Sequence, residues 1–135
     1  MSNLKYILSL LFLALSINGC GDILRDDISA MESVAHLSAD ELILALKNNE
    51  NFHREDVLSV KGDLVEINTK NGNTNFLIKG NTNENHYIIC EMNHSFDLGN
   101  NDFKPGETIV IKGILKGYLN DAVLLNCVLD NTDKK

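Results

Sequence analysis

At 135 residues, with 44% apolar and 23% charged side chains, the chain has room for one globular domain and lacks the composition of a disordered one. Nineteen Asp and Glu against twelve Lys and Arg give a net charge of −7, which on balance opposes a phosphate backbone as ligand. Five Phe, three Tyr and no Trp leave little stacking surface for bases or sugars.

The N-terminus reads as an address. Lys5 precedes Tyr6–Leu15, an apolar run of ten residues. A bilayer span needs about 20, so the run suits the core of an export signal instead. Ile17-Asn18-Gly19-Cys20 follows, with an aliphatic residue at −3, a small one at −1 and Cys at +1. This resembles the lipobox of bacterial lipoproteins, although Asn at −2 is less usual than Ala or Ser. The resemblance implies a signal peptide over 1–19, cleavage before Cys20, acylation there, and a membrane anchor facing away from the cytoplasm. The plainer alternative is an ordinary cleaved signal whose first mature residue is Cys. Cleavage removes one cation, Lys5, and no acid, taking the charge from −7 to −8. Residues 20–37 mix acids with small and apolar residues and read as a tether.

Ser38-Ala39-Asp40-Glu41 is a capping-box pattern and predicts a helix closed by Asn48-Asn49. From Val57 the apolar period switches to two. Five strands are expected, over Val57–Asn68, Asn75–Lys79, His86–Met92, Glu107–Tyr118 and Ala122–Leu129. Asn71-Gly72 marks a hairpin between the first two. Val60-Lys61-Gly62-Asp63-Leu64 is echoed by Ile111-Lys112-Gly113-Ile114-Leu115. Matched glycines in two long strands suit a small barrel that must bend them.

Five strands with a long first one resemble the OB-fold. More narrowly, the chain resembles the small bacterial OB-fold proteins described as tRNA-anticodon-binding-like. The resemblance rests on Ser38–Glu50, Val60–Ile67, Ile88–Glu91, Lys104–Leu115 and Leu124–Val128, and spans most of Ser38 to Leu129. It implies a mainly β fold, a five-stranded OB-like barrel preceded by one α-helix, over 38–130, with 131–135 as a tail. The loop before the fourth expected strand lacks a helix signal, so the Ser38 helix is expected to plug the barrel in its place.

The resemblance also sets the third and fifth expected strands side by side, which brings Cys90 and Cys127 together. In an oxidising compartment the pair forms either a disulfide, closing a loop of about 37 residues, or two buried thiols. The same logic puts a binding face on Thr74–Lys79 and His86–Met92, flanked by Lys70–Asn73 and Tyr118–Asp121. Lys79, Tyr87, Lys116 and Tyr118 are its candidate residues, against the plain alternative of ordinary outer positions.

No catalytic constellation emerges. His36, His53, His86 and His94 are scattered without metal-ligand spacing, so no metal site is expected. The acids Glu55, Asp56, Asp97 and Asp102 mark no cleft, and no nucleophile, phosphate-loop or dinucleotide motif implies a cofactor. The expectation is a non-enzymatic module for an envelope protein, peptide or glycan, held at the membrane through Cys20. The alternatives are an immunity or inhibitor lipoprotein against a basic toxin or hydrolase and, less favoured by charge, an oligonucleotide binder.

Overall fold

The computed structural model describes residues 27–50, 52–82, 85–99 and 101–131. The stretch read as a signal peptide, Cys20 and residues 132–135 lie outside the described residues.

Six strands and one helix follow in chain order: β1 (Ala35–Ser38), α1 (Ala39–Lys47), β2 (Val57–Lys70), β3 (Asn73–Lys79), β4 (Ile88–Met92), β5 (Thr108–Tyr118) and β6 (Ala122–Leu129). The long β2 serves two neighbours. Its first half pairs antiparallel with β5, from Val57↔Ile114 to Asp63↔Thr108. Its second half pairs with β3, past a bulge at Leu64/Glu66. The ring continues β3–β4–β6–β5 and closes on β2, with β4 and β6 parallel and the other barrel pairs antiparallel. This is the mainly β, closed five-stranded OB barrel with a short helix before it.

The glycines expected to bend the long strands sit where chains cross closely. A Cβ on Gly113 would lie 2.6 Å from Cys127 Sγ and 2.9 Å from Leu124 Cβ. One on Gly62 would lie 2.8 Å from the Lys79 carbonyl. At the β2–β3 hairpin, Asn71 and Gly72 both have positive φ, 53° and 79°, as the primed turns require.

The helix begins as its sequence dictates. Glu41 N–H donates to Ser38 Oγ at 3.2 Å, and Ser38 N–H donates to Glu41 Oε2 at 2.7 Å. Asn49, in the left-handed region at φ 52°, follows the C-terminal end. The helix buries Ala39, Leu42, Ile43 and Ala45. It does not plug the core alone. Among the described residues of the β4–β5 loop there is no helix, yet Phe96, Leu98 and Phe103 of that loop pack on the core. Phe76, fully buried, meets Phe96 and Phe103 edge-on at centroid distances of 5.5 and 5.3 Å. Such pairs contribute roughly 0.5–1.5 kcal/mol each beyond their buried area.

The stretch expected to be a tether is largely part of the domain. Ala35–Ser38 adds a parallel strand to β2, from Ala35↔Leu58 to Ser38↔Lys61. Before it, Val34 N–H donates to the Val57 carbonyl at 2.8 Å. Lys112 Nζ donates to the carbonyls of Met31 (3.2 Å) and Ser29 (3.4 Å), and Ile28 has no exposed surface. Residues 27–34 are thus a strap bound to the barrel wall.

Candidate binding face

Alternation decides what the outer wall offers. Phe76 and Ile78 of β3, with Ile88, Cys90 and Met92 of β4, are buried inside the barrel. Their alternate neighbours point outward. On β3 and β4 these include Leu77 and Ile89, which are apolar and half-buried. Register aligns them: Leu77 pairs with Ile89, and Ile89 with Val123 of β6. One apolar row therefore crosses three strands on the outside of the barrel.

The row continues toward β5. Beyond Leu124 the β4–β6 register slips: Cys90 pairs with Leu124, but the next pair is Met92 with Cys127. The slip contains Asn126 at φ 54°, whose Oδ1 accepts from Asn93 Nδ2 at 2.7 Å. It lets both Leu124 and Cys127 face inward while Leu125 stays half-buried outside, paired with Ile114 of β5. Ile114 and Leu125 line a shallow groove of about 310 Å³ with Glu55, Glu91, His94 and Lys116.

The rim is polar and mixed in sign. Lys116 Nζ lies 2.7 Å from Glu55 Oε1, an exposed pair worth about 0–1 kcal/mol. Glu91 pairs in register with Asn75. Lys79 ends β3 and Tyr87 immediately precedes β4, each next to the Ile78–Ile88 pair. Tyr87 is fixed through its backbone: its N–H donates to Asp121 Oδ1 at 2.9 Å and its carbonyl accepts from Ala122 at 3.1 Å.

Of the four residues that sequence singled out, Lys79 and Tyr87 stand at one edge of the row and Lys116 lines the groove. Tyr118 is half-buried and packs against the core. The apolar row itself was missed. Its signal was there, in the unbroken apolar pairs Leu77-Ile78 and Ile88-Ile89, since a strand apolar on both sides has something to cover on each.

Beside this face, Asp40 at the start of α1 accepts from Asn81 N–H and Thr82 Oγ1, both at 2.8 Å. Partial burial raises its pKa, but those hydrogen bonds outweigh burial and hold the carboxyl below its ordinary value. Cys90 and Cys127 face the interior as free, fully buried thiols. Burial, then the hydrogen bond with Cys90, pushes the Cys127 thiol well up, so it is a poor nucleophile. Among the described residues no three His, Cys, Asp or Glu side chains gather to hold a metal ion.

The model of one family, described as tRNA_anti-like, matches residues 1–129. The chain belongs to the tRNA_anti-like family. That match takes in the N-terminal apolar run and Cys20 as well as the barrel. Among curated proteins none matches the sequence. Among solved structures, the chain is similar to one in the crystal structure of the S. pombe Stn1-ten1 complex, at 10% identity and a TM-score of 0.43, covering 58% of this chain and 60% of that one. It is also similar to a chain of a structure described as "Structural mimicry for functional antagonism", at 13% identity and a TM-score of 0.46, covering 76% of this chain and 46% of that one. This chain therefore spans less than two thirds of either neighbour. As a tRNA_anti-like domain it is an OB-fold of a binding-domain family.

Proposed function

We propose that this tRNA_anti-like protein is a membrane-anchored binding module of the bacterial envelope, and that the outer face of β3, β4 and β6 engages a segment of an envelope protein or peptide. The observation that carries the choice of partner is the row Leu77–Ile89–Val123, apolar at its centre and mixed in charge at its rim. Apolar centres with polar rims are how protein surfaces meet.

A nucleic acid asks for something else. It needs cations free to meet phosphates and aromatic faces on which bases stack. Here Lys79 beside the row is exposed, but Lys116 pairs with Glu55, Lys112 is bound to backbone carbonyls, and the net charge is −7. Among the described residues, Tyr87 is the aromatic residue next to the row. The same shortage disfavours a glycan, which also stacks on aromatic rings. The anchor is supported by Lys5, the ten-residue apolar run and Ile17-Asn18-Gly19-Cys20, and by a family match that includes them. A membrane anchor raises effective concentration, so a face of modest area suffices for partners in the same membrane.

The test is site-specific photo-crosslinking in intact cells, with the reactive side chain at position 89 and, as control, at Lys104 on the β4–β5 loop. The proposal expects a discrete protein adduct from position 89 that is absent from 104 and lost with Leu77→Asp. Nucleic-acid adducts, together with salt-dependent binding of an oligonucleotide, would overturn it.

A further inference from the structure

The strap changes how far the barrel stands from its anchor. The sequence alone suggests a tether from Cys20 to Leu37. The structure binds that stretch to the barrel from Ile28 onward: Ile28 is fully buried, two strap carbonyls accept from Lys112, Val34 bonds to Val57, and β1 joins β2. Seven peptide steps then separate Cys20 from Asp27. Fully extended, they reach at most about 25 Å, against about 60 Å for the longer tether.

The strap also enters at a defined place. Ser29 shares a groove of about 270 Å³ with Lys112, Val128, Leu129, Asp130 and Asn131, at the late end of β6. Opposite Lys112 on β2 is Ser59. Lys70, where β2 ends at the Asn71-Gly72 hairpin, lies eleven residues further along β2 from Ser59, about 35 Å for a straight strand and somewhat less in a coiled one. Along β6, Val123 of the apolar row precedes Val128 by five residues, about 17 Å.

From these placements we propose that the barrel docks close to a lipid bilayer by the flank where the strap enters, with the late end of β6 toward the lipid and the β2–β3 hairpin away from it. The inference rests on the anchor at Cys20 assigned above. It confines the apolar row to within about 40 Å of the bilayer, so the partner's docking segment is membrane-proximal. The strand directions turn the row to the side, open to a neighbour in the same membrane, instead of down onto the lipid.

The experiment uses the full lipidated chain, purified from membranes and reconstituted into phosphatidylcholine vesicles carrying a headgroup acceptor dye. A donor is placed at Asn131→Cys or at Lys70→Cys, both exposed; Cys90 and Cys127 are fully buried and stay unlabelled in the folded protein. The expected result is energy transfer to the bilayer several-fold more efficient from 131 than from 70. Ile28→Asp, which evicts the strap, brings the two efficiencies together, and Lys112→Ala, a milder release that keeps the core intact, narrows the gap. Vesicle-bound protein with equal transfer from both positions overturns the docking geometry and leaves the anchor standing. Protein that does not associate with vesicles overturns the anchor and the geometry with it.

Discussion

Two flanks of the barrel face outward with apolar side chains, and the chain treats them differently. Where β2, β5 and the end of β6 meet, it covers itself: Ile28 is fully buried, Lys112 holds the strap by its carbonyls, and Ser59 donates to Asp130 Oδ2 at 2.7 Å in a buried pair. Across β3, β4 and β6 the row Leu77–Ile89–Val123 stays half-buried. Burying apolar area yields about 25 cal/mol per Å² wherever it happens. On the first flank that energy goes into folding; on the second, in the function proposed above, it is what a partner would bury.

The comparison breaks completely if the shared core goes. Phe76→Ala removes the ring that both loop phenylalanines meet and should cost about 3–5 kcal/mol, close to the whole stability of a small domain, read by urea unfolding. Gly113→Ala drives a methyl into Cys127 and Leu124 and should cost about 1–3 kcal/mol in the same assay. Ile28→Ala strikes the covered flank alone. It should cost about 2 kcal/mol, appearing first as faster hydrogen exchange in Ala35–Ser38, while β3 and β4 keep their protection.

Asp40→Asn tests the tie between α1 and the β3–β4 connection, with an expected loss of about 1 kcal/mol at neutral pH. Because the folded carboxyl titrates below its ordinary value, its contribution is complete above the unfolded value near 4 and is lost as pH falls through the folded one. The difference between wild type and variant should therefore be full at pH 7 and close in acid. A constant difference down to pH 2 would contradict it. Ile89→Asp, on the open face, should cost about 1 kcal/mol through lost strand propensity and partial burial, yet abolish the adduct formed from a photo-reactive group at position 77.

Much of the barrel was legible because its signals are local. Ser38 and Glu41 make the reciprocal cap their spacing announced, Asn71-Gly72 turns as expected, and period two located all five barrel strands. The strap and β1 were not legible. Their sequence, Asp27–Ser38, is acidic and weakly patterned, and β1 exists only because Leu58–Lys61, more than twenty residues away, offers an edge. The slip at Asn126 was also hidden, since in sequence it shows only as one polar residue in Leu124-Leu125-Asn126-Cys127, with no glycine or proline to mark a bulge. On the outer wall, sequence favoured polar and aromatic positions, and Lys79 and Tyr87 lie beside the apolar row. The apolar centre escaped because a residue such as Ile89 looks the same from either side of a sheet until its neighbours are known.

The account depends most on a barrel tethered at Cys20, and intact-mass spectrometry of the protein from native membranes tests that directly. The account predicts a mass beginning at Cys20 plus acyl chains, and release of the protein to the soluble fraction as Cys20→Ser. A soluble, unmodified chain that keeps Met1 would contradict it.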